Sequence, residues 1–165
     1  MKTLYLVRHA KSSWKDSSLP DFDRPLNQRG KKDAPEMGER LFNRGISPDL
    51  VISSTAKRAA HTASIMAEKL SFPAKAMRFY DELYHANADT LLQLVRNTDA
   101  SVEKLMLFGH NPGLTEFANL ISSRKIDNIV TCGVYALQLP VEQWRDFRGQ
   151  GRTHFLFYDF PKNRS

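Results

Sequence analysis

The stretch that decides the fold is YLVRHA over Tyr5–Ala10, an apolar run that stops at an arginine followed by a histidine. Such a run predicts a buried strand over residues 3–8. In an open α/β sheet, ligands bind at the carboxyl edge, where the strands end. A histidine delivered there can act as a nucleophile, and an arginine beside it can hold the anion under attack. We therefore expect an anion site around Arg8 and His9.

Two further apolar runs end in candidate site residues. The segment ISSTAKRA over 52–59 closes the second run and opens a helix that carries Arg58. The segment LMLFGHNPG over 105–113 closes the third run with His110, and another helix comes after it. Arginines offer forked donors to phosphate oxygens, and His110 is expected to add a third cation when it is protonated. Arg8, Arg58 and His110 are thus predicted to bind a phosphoryl group.

The order of elements predicts an α/β fold, because apolar runs alternate with helical patterns along most of the chain. Strands are expected at 3–8, 50–53, 74–79, 104–109, 129–139 and 153–160, and helices at 28–44, 56–70, 89–96, 114–122 and, in a short piece, 141–147. The last two strands lack a long helix between them and should pair antiparallel. We expect a single three-layer domain over residues 1–165, with a mixed, mostly parallel sheet and helices on both faces.

Local signals refine this prediction. Residues 11–26 are polar and broken by prolines, which indicates a loop over the site. Asn27 is expected to cap the first helix. Pro35 is expected to kink or restart that helix near Ala34, because it lacks a backbone donor. The single cysteine, Cys132, is expected to be a small buried residue within the strand 129–139.

Composition and the distribution of charge argue against several classes of protein. The formal charge is +6, yet the basic residues are scattered and no nucleic-acid motif accompanies them, so no nucleic-acid partner is expected. A positive field that attracts phosphorylated substrates explains the charge equally well. No apolar stretch approaches the ~20 residues of a membrane span, and the amino terminus does not resemble a signal peptide. A cytoplasmic protein without a membrane partner is expected, with a monomer as the simplest state.

The chain resembles the histidine phosphatase (phosphoglycerate mutase-like) superfamily, whose signature is Arg-His-Gly near the amino terminus. Arg8 and His9 match that signature, and Ala10 stands in place of the usual glycine. The short length, the RPL segment at 24–26 and the GHNP segment at 109–112 make it most similar to the SixA-type phosphohistidine phosphatases. The resemblance spans roughly residues 3 to 160.

The resemblance also implies a proton donor for the leaving group in the region of Asp81 and Glu82. A carboxyl with a raised pKa could protonate an alcohol as it leaves. We predict Glu82 for this role, with Asp81 as its rival, although both could be exposed loop acids. Asn111 stands where some branches carry an acidic residue, and an amide cannot donate a catalytic proton. Lys11 and Arg24 either line the entrance or are solvated loop charges.

The sequence thus predicts a phosphatase that carries the phosphoryl group on His9, with His9, Glu82 and His110 as catalytic residues. No metal or other cofactor is expected, since His61, His85 and His154 lack metal-type spacing. The expected partner is a phosphorylated protein, specifically one bearing phosphohistidine, or a small phosphorylated substrate. The alternatives are a phosphatase of small phosphate esters and a module that binds phosphate or a phosphoprotein without turnover.

Overall fold

The architecture is a six-stranded sheet flanked by four helices. Our computed structural model describes residues 1–163. The strands are β1 (Lys2–Arg8), β2 (Leu50–Ser54), β3 (Arg78–Tyr80), β4 (Lys104–Gly109), β5 (Val134–Leu139) and β6 (His154–Asp159). The helices are α1 (Gln28–Asn43), α2 (Lys57–Lys69), α3 (Ala88–Arg96) and α4 (Gly113–Ile121).

The order of the strands across the sheet is β3-β2-β4-β1-β5-β6. The first four are parallel to one another, and β5 pairs antiparallel with β1. β6 pairs antiparallel with β5, as the sequence predicts for the last two strands. Arg8 pairs with Gly109, and Ser53 pairs with Phe108. This register brings the carboxyl ends of β1, β2 and β4 to one edge of the sheet, so the residues just beyond these strands meet there.

Successive side chains of β1 point to opposite faces of the sheet, and each face carries its own apolar core. Val7 packs with Met37 and Leu41 of α1 and with part of α2. Leu6 packs on the opposite face with residues of α3 and α4, including Phe117. Helices therefore cover both faces, and the α/β fold class with a mixed sheet is confirmed.

The first helix begins as the sequence predicts and then departs from the prediction. The side chain of Asn27 accepts a hydrogen bond from the amide of Gly30 at 2.8 Å, which confirms the cap. The predicted restart near Ala34 is wrong, since α1 runs unbroken through Pro35, whereas the alternative of a kink stays a prediction. A proline removes one backbone donor from a helix of 16 residues, and the buried contacts of Met37 and Leu41 hold the helix to the sheet beyond it.

Several predicted spans are shorter in the structure. β5 begins at Val134 rather than at residue 129, because Cys132 adopts a left-handed backbone with a φ of 62° and ends the preceding turn. Cys132 is buried as expected but lies outside the strand. The predicted strand 74–79 is a 3-10 turn, Ala74–Ala76, followed by β3. The predicted helix 141–147 reduces to a 3-10 turn, Trp144–Asp146.

Across residues 1–163, none of the helices is long and apolar enough to cross a lipid bilayer.

Candidate active site

A cleft of about 300 Å³ opens at the sheet edge where β1, β2 and β4 end. Its floor is formed by His9, Arg24 and Arg58, which are buried, together with the partly buried Arg8 and His110. Its rim is formed by exposed or half-buried side chains: Lys11, Ser12, Trp14, Asn111 and Thr131. The structure thus brings together Arg8, His9, Arg58 and His110, the four residues that the strand and helix ends single out.

His9 is oriented by a backbone contact of its own turn. Its Nδ1 lies 2.8 Å from the carbonyl oxygen of Ala10. A carbonyl can only accept, so Nδ1 carries the proton and the neutral ring has its lone pair on Nε2. Burial lowers the pKa of His9 to about 4, and the nearby cations Arg58, Arg8 and Arg24 lower it as well. The ring is therefore neutral at pH 7, as a nucleophile requires.

The turn that carries His9 is fixed from two sides. The amide of Ala10 donates to the hydroxyl of Thr62 at 3.0 Å, and that hydroxyl donates to the carbonyl of Arg58 at 2.7 Å. On the other side, the amide of Cys132 donates to the carbonyls of Arg8 and His9, each at 3.0 Å. α2 and the turn before β5 therefore both hold the backbone around His9 in place.

His110 faces His9, with 5.0 Å between the ring centroids. Its Nε2 lies 2.8 Å from the hydroxyl of Ser54, and that hydroxyl accepts from the amide of Ala56 at 3.1 Å. Burial, followed by the neighbouring His9 and Arg58, lowers the pKa of His110 to about 3. His110 is thus neutral at pH 7, which corrects the expectation that it adds a third cation. Its buried Nδ1 has no hydrogen-bond partner in the described part of the chain.

The arginines are anchored but keep donors for an anion. Arg8 donates through Nη1 to the carbonyl of Ile129 at 3.1 Å, while its buried Nε makes no hydrogen bond within residues 1–163. Arg58 donates through Nη1 to the carbonyl of Asp21 at 2.7 Å and through Nη2 to its carboxylate at 2.9 Å. Each terminal nitrogen of a guanidinium carries two hydrogens, so these contacts do not use every donor of Arg8 and Arg58.

Asp21 is a site residue that sequence reasoning missed. Its carboxylate accepts from Arg58, from Arg24 at 2.9 Å and from the hydroxyl of Tyr84. These donors hold the pKa of Asp21 well below its usual range, and the Tyr84 hydroxyl has the largest effect. The carboxylate is therefore ionised. Asp21 and Tyr84 come from loops 63 residues apart, and nothing in their local sequence links them.

Arg24 lines the cleft and is therefore not a solvated loop charge, the alternative that its sequence context left open. Its Nε donates to the carbonyl of Ser13 at 3.1 Å, and its Nη2 donates to the hydroxyl of Ser12 at 2.6 Å. Its guanidinium carbon also lies 3.2 Å from the centre of the Trp14 ring. Lys11 lies on the rim, as the second of the two residues expected at the entrance.

Glu82 does not reach this cleft. Its side chain is exposed and lines a different depression, beside β3, together with Lys75 and Arg78. Asp81 is also exposed, and its carboxylate accepts a hydrogen bond from the hydroxyl of Thr55. The prediction that Glu82 serves as proton donor therefore lacks the geometry it requires, because a general acid must lie within hydrogen-bond reach of the leaving atom.

The described residues contain no cluster of three or more histidine, cysteine, aspartate or glutamate side chains that could hold a metal ion. The positive charge on the floor of the cleft comes from the guanidinium groups of Arg8, Arg24 and Arg58.

Comparison with known proteins identifies the family to which the chain belongs. Residues 4–102 match the sequence profile of the histidine phosphatase superfamily, branch 1. A chloroplastic protein of Arabidopsis thaliana is 32% identical over 153 residues, which cover 88% of this chain and 70% of that protein. The chain belongs to the histidine phosphatase superfamily, whose members are phosphatases or mutases with a histidine nucleophile.

Solved structures show the same fold. The chain superposes on a candidate phosphohistidine phosphatase, SixA, from Agrobacterium tumefaciens, with a TM-score of 0.80 at 28% identity, covering 97% of this chain and 98% of the other. A protein histidine phosphatase SixA in complex with tungstate gives a TM-score of 0.82 at 17% identity, covering 98% of each chain, a likeness that concerns the fold alone. The phosphoglycerate mutase-like fold predicted from the sequence is confirmed.

Proposed function

We propose that this protein is a metal-independent phosphatase that carries the phosphoryl group on His9 and releases it to water, with phosphohistidine in a protein as its substrate. One observation carries the proposal: the buried, neutral imidazole of His9, turned by its Nδ1 contact with Ala10, lies on a floor of arginines. A site that only binds phosphate needs the cations but has no use for a neutral nucleophile among them.

In the first step, the electron pair on Nε2 of His9 forms a bond to phosphorus, and the bond from phosphorus to the leaving group breaks. Arg8 and Arg58 donate to the three equatorial oxygens, where the charge of a loose, metaphosphate-like transition state is concentrated. The Ser54 hydroxyl, which accepts from the Ala56 amide, can donate its proton to Nε2 of His110. The proton of His110 then resides on Nδ1, which adds a neutral donor.

In the second step, a water oxygen forms a bond to phosphorus and the bond to Nε2 of His9 breaks, returning the pair to the ring. One proton of the water passes to an oxygen of the phosphoryl group, and dihydrogen phosphate leaves while His9 returns to its neutral form. The phosphoryl group passes through the same kind of transition state in both steps, so the arginines have the same role in each. The guanidinium groups supply the charge stabilisation that a metal ion provides in other phosphatases. The proposal includes a cytoplasmic location, the one expected from the sequence.

The choice of phosphohistidine rests on the residues that line the cleft. No aspartate or glutamate is among the lining residues in the described chain, so no carboxylic acid lies ready to protonate an alcohol. An imidazole that is protonated on its other nitrogen leaves as a neutral molecule and needs no such acid. The name of the Agrobacterium relative points to the same substrate. Phosphate esters with good leaving groups are the second candidate, since they too can dispense with a proton donor.

The test is to trap the phosphoryl group on His9. The protein is mixed with ³²P-labelled phosphohistidine peptide in excess EDTA and quenched during turnover, and the adduct is mapped. We expect a base-stable, acid-labile phosphohistidine at residue 9. The adduct and turnover should disappear in His9→Ala and persist in His61→Ala, which removes an exposed histidine outside the cleft.

Turnover that needs an added metal ion, or a fully active His9→Ala protein, would refute this mechanism. Binding of phosphate without any turnover would identify a binding module instead. Hydrolysis of aryl phosphates with none of phosphohistidine would move the assignment to the second candidate.

A further inference from the structure

Trp14 is the most unusual side chain near the cleft. It is 76% exposed, the highest exposure among the large apolar side chains of residues 1–163. A tryptophan offers a large apolar surface that is normally buried. Trp14 instead stands on the rim of the same cleft that holds His9 and Arg58. Its position therefore places an unburied aromatic face where a substrate must enter.

The indole of Trp14 is held in place rather than free. The guanidinium carbon of Arg24 lies 3.2 Å from the centre of the ring, close enough for a stacked cation–π contact. Arg24 is itself only 7% exposed and is fixed by its bonds to Ser12, Ser13 and Asp21. Because Arg24 covers one face of the indole, the exposed area belongs to its other face and its edges.

The geometry of phosphoryl transfer fixes where the leaving group lies. The attacking nitrogen and the leaving atom are roughly in line across the phosphorus. His9 is 7% exposed and forms part of the floor, so the leaving group points away from the floor and towards the rim. Trp14 is the one aromatic side chain among the rim residues that the structure describes.

We infer that Trp14 is a specificity-determining residue that stacks on the imidazole ring of a phosphohistidine substrate. The inference rests on the proposed function. An imidazole is planar and, with a proton on its unphosphorylated nitrogen, carries a positive charge. A flat cation gains from an indole face through both stacking and cation–π attraction. When the P–N bond breaks, its electron pair returns to the ring nitrogen, and the ring leaves as neutral imidazole.

This ring subsite also separates two kinds of P–N substrate. Phosphohistidine and phosphoramidate both contain a bond from phosphorus to nitrogen, but phosphoramidate has no ring. The arginine floor serves the phosphoryl group of either one equally. Trp14 therefore contributes to the first and contributes little to the second.

The experiment compares kcat/KM of Trp14→Ala, Trp14→Phe and the native protein on a phosphohistidine peptide and on phosphoramidate. We expect Trp14→Ala to lower kcat/KM for phosphohistidine by about tenfold or more, the scale of an aromatic stacking contact. The loss on phosphoramidate should be much smaller, and Trp14→Phe should restore most of the lost activity. Phe42→Ala, which removes another exposed aromatic ring outside the cleft, is the matched control.

A second measurement reads binding without turnover. The chain has two tryptophans, and Trp144 is fully buried, so quenching of fluorescence by acrylamide reports chiefly on Trp14. In His9→Ala, which cannot cleave it, a bound phosphohistidine peptide should protect Trp14 from acrylamide, whereas inorganic phosphate should not. Trp14→Phe should abolish the protected signal.

Equal losses on both substrates would mean that Trp14 only supports Arg24, and the inference would be overturned. No loss on phosphohistidine, or no protection by the phosphohistidine peptide bound to His9→Ala, would overturn it as well. So would an equal loss on a phosphotyrosine peptide, which presents a flat ring without the charge. A native protein that hydrolyses neither P–N substrate would instead refute the proposed function, so the two failures are distinguishable.

Discussion

Arg58 lies in the first turn of α2, where a cation opposes the helix dipole, and it is 7% exposed. Its two contacts with Asp21 compensate for that position and set the direction of its guanidinium. A buried cation at an unfavourable position of the helix, in the same cleft as His9, is explained if its guanidinium binds an anion. Its contribution to turnover can be measured directly.

We expect Arg58→Ala to lower kcat by about a hundredfold or more, as the loss of an oxyanion donor does. Arg58→Lys should recover only part of the loss, because an ammonium group lacks the planar fork. Steady-state kinetics normalised to folded protein would measure this, with Lys57→Ala, an exposed neighbour, as the control. Normal kcat in a destabilised Arg58→Ala protein would assign Arg58 to structure alone.

The opposite outcome is expected for Glu82. Because its exposed side chain lines another depression, Glu82→Gln should leave kcat/KM within about a factor of two on alkyl phosphate, aryl phosphate and phosphohistidine. The alkyl phosphate is the critical substrate, since its leaving group depends most on a proton donor. A selective loss of tenfold or more on that substrate would restore Glu82 as the acid and would require the loop at Asp81–Leu83 to move.

At the scale of single residues, the sequence predicts those site groups that come directly from strand ends. Arg8, His9 and His110 need only the position of a strand and the polarity of the residues at its carboxyl end. Asp21 needs the contact between its loop and α2, 37 residues away, and no periodicity reports such a contact. Glu82 shows the reverse error, because a family resemblance places the acid in a region of the chain without settling which side of the sheet edge its side chain takes.

At the scale of elements, α1 and the loop before it are packed closely enough to leave no room for a side chain at Gly30. A Cβ there would lie 2.2 Å from the carbonyl oxygen of Lys11, a backbone atom. The same carbonyl accepts from the amide of Asn27 at 3.0 Å. Gly30 therefore sets the distance between the start of α1 and the rim residue Lys11.

Gly30→Ala should destabilise the protein by about 1–3 kcal/mol, the usual cost of overpacking, despite the better helix propensity of alanine. Urea unfolding would measure the loss. Gln28→Ala, an exposed change in the same turn, should have a much smaller effect. If Gly30→Ala proved as stable as the native protein, the loop would have to shift without loss of stability, and the close packing would not constrain the rim.

The boundaries of elements show where local patterns fail. The strand predicted from residue 129 begins at Val134, because the apolar residue Ile129 is buried in the loop before β5 rather than in the sheet. Pro35 is tolerated inside α1 because the contacts on either side of it outweigh one lost donor. In both cases the outcome depends on which residues pack together, whereas a sequence pattern shows only which residues are hydrophobic.

At the scale of the whole molecule, two buried neutral histidines make stability depend on pH. The pKa of His9 falls from 6.5 to about 4, and the pKa of His110 falls from 6.5 to about 3. The unfolded chain therefore binds more protons than the folded one below pH 6.5. The stabilising effect is complete above that pH and is lost as the pH falls through the folded values.

We expect the free energy of unfolding to decrease between pH 6.5 and 4, by at most about 3 kcal/mol for each histidine. Urea titrations at a series of pH values would show the slope. His110→Gln should flatten it, and His61→Gln, at an exposed position, should leave it unchanged. A slope that His110→Gln does not alter would mean that other groups govern the loss of stability in acid.

Cys132 bears on how the protein responds to oxidants. Burial raises the pKa of this thiol, the single one in the chain, to about 12, although its amide touches the catalytic turn. Peroxides and alkylating agents attack the thiolate, which this residue scarcely forms at neutral pH. Because the proposed phosphoryl transfer uses an imidazole beside a thiol that stays protonated, the cleft offers oxidants no reactive sulfur. Redox stress that inactivates phosphatases with a cysteine thiolate nucleophile should leave this protein active.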